Sequence, residues 1–383
     1  MAGRTDASAA ERSAQASTAT RSISDFSWLD HRRDLDPALD EIAAAVDSLQ
    51  LRSAAGAATA TEMLALHSVA PLSLAVAADP RHGPLLSWMQ QQGATLGPVV
   101  LGKSRCGAGY GAFASRDVAE GELLASLPSA ACLSLYTALG DEEVGEALGT
   151  LVAKGQGGAT VALAGIMAKE WLCAGEGGLR GPYLAMLPWD AAWPPEGEQE
   201  QEHVLWWSEK QVDDLDGSPA YADACDIRDE VNVAAKVIKS LIGASVRKAY
   251  REREDKAIWD QFKADDDIDR AVRGAFVSIL TRAFAQEEQG DEEVRLVPLL
   301  DMLQHADEPN IRHVAEVDEA TGAQRVVVTA RRAIAADEEL LNCYGELDDA
   351  KFLTRFGFVP GKANGEYIAS LQKGKLPFGF KLY

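Results

Sequence analysis

The chain has 383 residues, 47% hydrophobic and 25% charged, with a formal net charge of −22 at pH 7 and a pI near 4.7. These are ordinary globular proportions, enough for one large domain or two to three smaller ones, and they exclude global disorder. The acidity excludes a protein built to hold a polyanion, because phosphate contacts come from Lys and Arg. It suits a Lys-bearing partner, with solubility as the plainer reading.

Residues 1–24 are rich in Ala, Ser, Thr and Arg, with acids only at Asp6 and Glu11. That composition fits an organelle transit peptide or a frayed terminus. Residues 1–34 are therefore read as disordered or transit-like, and a plastid destination stays open beside a cytoplasmic or nuclear one. Leu39, Ile42, Ala45, Val46 and Leu49 have helical spacing, which predicts a helical N-terminal region over 35–84. From Leu85 the texture turns to short apolar runs broken by Gly, at 98–101, 110–113, 123–124 and 132–135. These predict an all-β unit over 85–135.

Over 136–271 the pattern is helical and charged, with apolar faces at 161–172 and 231–242. The mixed-charge run 246–267 reads as a solvated helix face laced with i, i+4 pairs. A further helix is predicted over 271–284 and a strand over 325–333, within a second β part at 272–360; 361–383 reads as a tail. There is no internal repeat and no run of 18 apolar residues, so no membrane span is expected. The five cysteines (106, 132, 173, 225 and 343) contain no CxxC pair. That spacing is neither a zinc site nor a disulfide framework and favours a reducing, intracellular compartment.

Three motifs follow one another along the chain. Gly107-Ala-Gly109-Tyr110-Gly111-Ala112 fits the G-x-G-x-x-A dinucleotide fingerprint, but that reading needs a helix directly after it, and 113–121 has turn character. Such glycines also let backbone approach a ligand closely, since a residue without Cβ tolerates positive φ; a ligand-free Gly-rich hairpin is the plainer alternative. Val297-Pro-Leu-Leu-Asp301-Met-Leu-Gln304-His305-Ala-Asp307-Glu-Pro-Asn310 packs an apolar run, an Asp/His pair and a Pro-Asn turn together. Its His305-Ala-Asp307 also has the spacing of two ligands of an iron site. The second His of such a site lies well downstream, whereas the last His here is His313. Asn342-Cys-Tyr344-Gly345 comes last, after the acidic turn 336–339.

In that order the three pieces resemble the SET-domain protein methyltransferases, and in particular the branch with a large helical insert typified by the Rubisco large-subunit lysine methyltransferase. Gly181-Pro-Tyr-Leu-Ala-Met-Leu-Pro188 resembles a segment of that insert. Ser278-Ile-Leu-Thr-Arg282-Ala-Phe284 resembles the family's Ser-Arg-x-Phe segment, with Thr281 replacing Ser. The likeness covers roughly residues 85–360 and implies an α+β fold, a SET core of short strands in two halves (85–135 and 272–360) split by a helical insert (136–271). It implies S-adenosylmethionine as cofactor, held by Gly109, Tyr110, Gly111, Asp301, Gln304, His305 and Tyr344. It makes Tyr344 the catalytic tyrosine, places Arg282 and Phe356 beside the acceptor, and requires no metal. The expected substrate is a lysine of a non-histone protein, taken up by a monomer, with no nucleic-acid or membrane partner. The branch also methylates histidine, and a catalytically silent SET-fold binding module is the alternative of a different class.

Departures accompany the likeness. Gln304 stands where Asn is usual, and Phe356 where Tyr is frequent, a change that bears on how many methyl groups are added. The branch's helical C-terminal domain has little room in the 24 residues after Val359, so N-terminal helices or looser recognition are expected to grip the substrate.

Tyr344 carries the chemical argument. A free lysine has a pKa near 10.4, so presenting it neutral at pH 7 costs about 4.6 kcal/mol. A dry aromatic channel lowers that pKa by desolvation, and a hydroxyl can orient the nitrogen. The plainer readings make Tyr344 a buried residue at a strand end, Phe356 and Phe358 core, Arg282 solvated, and His305 a core histidine satisfied by a backbone carbonyl.

Overall fold

The computed structural model describes residues 79–106, 109–153, 158–190, 203–253, 261–288, 291–317 and 322–361. The transit-like segment, most of the N-terminal helical region and the tail from 362 lie outside them. In chain order the elements are α1 (His82–Gln91), β1 (Thr95–Leu96), β2 (Val99–Lys103), β3 (Tyr110–Ala114) and β4 (Leu123–Pro128). Helices follow: α2 (Leu135–Leu139), α3 (Gly145–Ala153), α4 (Ala159–Ala174), α5 (Gly181–Leu184), α6 (Glu209–Asp213), α7 (Pro219–Arg253) and α8 (Gln261–Arg282). The chain returns to strands with β5 (Phe284–Glu288), β6 (Asp291–Arg295), β7 (Gln304–His305), β8 (Ile311–Val317), β9 (Gln324–Ala330) and β10 (Glu339–Asn342), then α9 (Asp349–Phe356).

Two four-stranded sheets form, ordered β1-β4-β9-β8 and β2-β3-β10-β7, with β5 and β6 as a separate hairpin. Each sheet joins strands from both sides of the helical block. Thus β4 pairs antiparallel with β9 (Leu127 opposite Val326) and β3 with β10 (Ala112 opposite Leu340). β7 adds parallel to the far end of β10, with Gln304 opposite Leu341 and His305 opposite Asn342. The fold is α+β, with the two halves of the β core completing each other. Strand β9 shows why: Val326, Val328 and Ala330 are buried at period two while their neighbours are not, so one face seals the core.

α4 is apolar almost all round, and its residues from Thr160 to Lys169 are buried, as expected of a helix enclosed by others. It packs between α7 and α8. No helix among the described residues is long and apolar enough to cross a membrane.

Several elements differ from expectation. The β texture read from Leu85 begins only at Thr95, because 82–91 is helix α1, with Leu85, Trp88 and Met89 buried on one face. Residues 132–135 make a single bridge, Leu133 to Leu296, rather than a strand. There the Ser134 and Thr137 side chains form a capping box that starts α2 instead. The helix expected over 271–284 starts at Gln261 and stops at Arg282, and Phe284 opens the hairpin. The strand expected over 325–333 ends at Ala330. The charged run 246–267 holds two helices together: Arg247 pairs with Asp265 at 2.9 Å and the Tyr250 hydroxyl donates to Asp267 at 3.0 Å. These pairs cross from α7 to α8 rather than running i, i+4, and Val246 and Ile268 are buried beside them.

Candidate active site

The β2–β3 hairpin carries the glycines. Gly109 has φ +87, a region that costs a residue with a Cβ roughly 1–2 kcal/mol. The side on which its Cβ would stand is open, with no atom of the described residues within 4 Å. Ser104 N–H donates to Gly109 O at 3.0 Å and closes the turn. Gly111 is constrained differently: a Cβ there would overlap Glu339 Oε1. That buried carboxylate accepts from Ser104 Oγ at 2.7 Å and from Arg105 N–H at 2.9 Å.

The Tyr110 ring turns away from the other predicted site residues. Its hydroxyl donates to Asp79 and accepts from Arg81 Nη2 at 3.0 Å, with His82 edge-on at 5.0 Å. Burial and the Asp79 carboxylate push the phenol up to about 12. Burial also pushes the Asp79 carboxyl upward, but hydrogen bonds from Arg81 and Tyr110 outweigh it and hold that acid well below its usual range. What Tyr110 offers the site is main chain: its carbonyl accepts from Gln304 Nε2 at 2.7 Å.

The run 297–305 approaches from the opposite side. Leu299 has φ 73 and is followed by a 3-10 turn, Leu300–Met302, which feeds β7. Asp301 is buried in that turn. Its Oδ2 accepts from the Tyr183 hydroxyl of α5 at 2.7 Å and lies 3.8 Å from Arg282 Nη1, which also donates to Asp301 O at 3.3 Å. Burial pushes the Asp301 carboxyl up to about 6, against the pull of Arg282 and Tyr183. Its Oδ1 is buried without a hydrogen-bond partner among the described residues.

His305 Nδ1 accepts from Tyr344 N–H at 3.2 Å and no carbonyl holds the ring, whose Nε2 is buried without a hydrogen-bond partner among the described residues. Burial lowers its pKa. Nε2 lies 3.5 Å from Asp307, whose side chain is 97% exposed. Among the described residues no three or more His, Cys, Asp or Glu side chains group as a metal site. The Pro309-Asn310 turn is pinned to β10, where Asn310 Oδ1 accepts from Leu341 N–H at 2.7 Å and Nδ2 donates to Glu339 O at 2.8 Å.

Tyr344 follows β10 directly. Its hydroxyl donates to Leu303 O at 2.7 Å, and burial pushes it up to about 12. Aromatic rings surround it, with His305 at 5.3 Å, Phe356 at 4.9 Å and Phe358 edge-on at 6.4 Å. α9 supplies this wall. Asp348 caps its start by accepting from Lys351 N–H at 2.8 Å, and Gly357 (φ 79) ends it so that Phe358 can fold back beside Phe356. Phe358, read as core, is half-buried and shares the wall. Arg355, on the same helix, stands 5.3 Å from the Phe356 ring, and burial draws its guanidinium down to about 10.

The structure thus ties Gln304 to the glycine hairpin through Tyr110 O, Arg282 to Asp301 in the turn before β7, and His305 and Phe356 to Tyr344. Asp79, Tyr183, the Leu303 carbonyl and Glu339 were not foreseen. Glu339, Tyr183 and Leu303 lay in segments already singled out, but nothing in the acidic turn distinguished Glu339 from Asp337 or Glu338, and no side-chain pattern marks a carbonyl.

Comparison with known proteins adds three findings. The SET domain family profile matches residues 109–345. N-lysine methyltransferase SETD6 of Rattus norvegicus is 27% identical over 296 residues, covering 75% of this chain and 56% of that protein. The Bos taurus protein of the same name is 23% identical over 292 residues, covering 75% and 59%. The chain therefore spans a little over half the length of these curated relatives. Among solved structures, the SET domain of LSMT bound to lysine and AdoHcy superposes with a TM-score of 0.56 at 16% identity, covering 73% of this chain and 57% of that one. Rubisco LSMT bound to AdoMet gives 0.54 at 16% identity, covering 74% and 57%.

Proposed function

This chain belongs to the SET-domain family, and on that premise we propose that it is an S-adenosylmethionine-dependent protein N-methyltransferase acting on a lysine of a non-histone protein. The observation that carries the reading is Tyr344. Its hydroxyl proton is committed to Leu303 O, and its ring stands in an aromatic wall at the end of the strand pair that also meets the glycine hairpin. The open side of Gly109 fits a cofactor, since a ligand can lie where a Cβ would otherwise point. Gly109, Gly111, the main chain of Gln304 and His305, and the Tyr344 ring would hold it. When bound, S-adenosylmethionine supplies an electrophilic methyl group on a sulfonium, which a neutral amine accepts by in-line displacement.

The chain's own residues do the rest. With its pKa near 12, Tyr344 stays a neutral phenol at physiological pH and does not act as the base. Because its proton points at Leu303 O, its oxygen presents lone pairs to an acceptor N–H and aligns that nitrogen. Phe356, Phe358 and His305 keep water out, which favours the neutral form of a lysine. Arg282 and Asp301 hold the turn behind the phenol. The net charge of −22 supports a Lys-bearing protein as partner rather than a nucleic acid. We read the enzyme as an intracellular monomer, and the cysteine spacing supports the compartment.

Labelled cofactor incubated with a proteome and this protein, followed by mass spectrometry, tests the reading. Label on lysine, with a rate climbing from pH 7 to pH 9, is the expected result. A rate already flat above pH 7 with label on histidine moves the acceptor to histidine. A chain that fails to bind the cofactor by calorimetry is a silent SET-fold module.

A further inference from the structure

We infer that Gln304 is a positioning residue whose side-chain amide holds the Tyr110 carbonyl and thereby fixes the left-handed Gly109 turn of the cofactor pocket. The ladder between β3 and β10 pairs Phe113 with Glu339 and Ala112 with Leu340, and there its register ends. From Leu341 on, β10 pairs with β7 instead. The Tyr110 carbonyl therefore lies past the last β3–β10 pair, where the sheet no longer supplies a main-chain donor from that side. Gln304 fills that place, with Nε2 2.7 Å from Tyr110 O.

The other shoulder of the hairpin is held independently, since Glu339 accepts from Ser104 Oγ and Arg105 N–H. Between the two anchors lies Gly109, whose φ of +87 is one of many conformations a glycine can adopt at little cost, so the anchors are what select it. An Asn at 304, one methylene shorter, falls about a bond length short of the carbonyl. One Nε2 proton of Gln304 is committed to Tyr110 O, which leaves its second proton and Oε1 for other partners. The side chain's part is preorganisation, which acts on affinity by removing the cost of ordering the turn on binding.

The inference rests on the methyltransferase reading for what the turn binds, but the clamp itself can be measured without any ligand. Hydrogen exchange of the full-length protein should show amides of 104–111 exchanging at least tenfold faster in Gln304→Ala and Gln304→Asn, with the rest of the chain unchanged. Gln304→Glu keeps the size but sets an acceptor against a carbonyl, and should loosen the hairpin at least as much. Calorimetry and kinetics should then show the Kd and KM for S-adenosylmethionine rising at least tenfold, with kcat at saturating cofactor within threefold. Unchanged exchange in all three variants overturns the clamp. Faster exchange with unchanged affinity, or a loss that falls on kcat alone, overturns the positioning role. If the parent protein does not bind S-adenosylmethionine at all, faster exchange upholds the clamp and the methyltransferase reading is what falls.

Discussion

The Tyr344 hydroxyl and the Leu303 carbonyl oxygen are 2.7 Å apart, with the phenol donating. Leu303 joins the turn that buries Asp301 to the strand that carries Gln304 and His305. The orientation of the phenol is therefore set by the same few residues that border the glycine hairpin. Anything that shifts this turn shifts both halves of the site together.

Tyr344→Phe should abolish most methyl transfer, at least a hundredfold, while S-adenosylmethionine affinity stays within threefold. Losing the bond to Leu303 O should lower the unfolding free energy by about 1 kcal/mol. Turnover with labelled cofactor and denaturant titration check both, and activity within twofold of the parent removes Tyr344 from the chemistry.

The two glycines should fail in different ways. Gly109→Val places a side chain in open space, so it should cost on the order of 2 kcal/mol in backbone strain and weaken S-adenosylmethionine binding more than tenfold. Gly111→Ala meets Glu339 Oε1 and should destabilise by on the order of 2 kcal/mol. Pairing it with Glu339→Ala should cost less than the two single changes summed. Thermal unfolding of the four variants, with calorimetry on Gly109→Val, decides; additive losses at 111 and 339 count against the steric account.

Asp301 predicts a pH dependence of stability. Burial raises its folded pKa to about 6 from the ordinary 3.8 of an aspartate, so the unfolded chain loses this proton first. The contribution is fully present below pH 4 and lost as pH rises through 6, with a size on the order of 3 kcal/mol. Asp301→Asn lacks the titration. The unfolding free energy of the parent minus that of Asp301→Asn should therefore fall between pH 4 and pH 6 and then level off. A flat difference across that window sinks the assignment.

Excess EDTA should leave activity unchanged, and elemental analysis should find no stoichiometric zinc or iron. Among the described residues no His, Cys, Asp or Glu set of three converges, and the Asp307 side chain is turned to solvent. One metal per chain would count directly against a SET methyltransferase and for an iron enzyme built on His305 and Asp307.

What the sequence made legible followed from local pattern. The β-branched run Val326, Val327 and Val328 reads as a strand, and the structure buries it on one face only. Helix α1 straddles the boundary drawn at 84/85, and its Gly83-Pro84 start fits a helix because Pro is tolerated in a first turn, where the N–H has no intrahelical partner. At 132–135 the apolar alternation mimics a strand, and the capping box from Ser134 to Thr137 overrides it. The position of Tyr344 was legible through family resemblance. Its orientation was not, because the Leu303 carbonyl lies 41 residues away in the chain. Asp79 and Tyr110 are 31 residues apart and share no periodicity, so no local signal ties them. The same holds for Glu339 and Ser104, 235 residues apart.

In each sheet an early pair of strands meets a late pair at a single junction, and this governs the order in which the β core can close. Ser126 of β4 and Arg325 of β9, whose side chains meet at 2.8 Å, are 199 residues apart. At a ribosomal rate of about 5–20 residues per second, β4 therefore waits roughly 10–40 s for its partner. During that interval β2, β3 and β4 emerge with incomplete sheets, while the helices between them already have partners near in sequence. The helical block should collapse first and the β core close last, in a late, non-local step of the kind that folds slowly. A ribosome paused before β9 should carry a protease-resistant helical fragment attached to a cleavable strand segment, with the candidate active site still unbuilt.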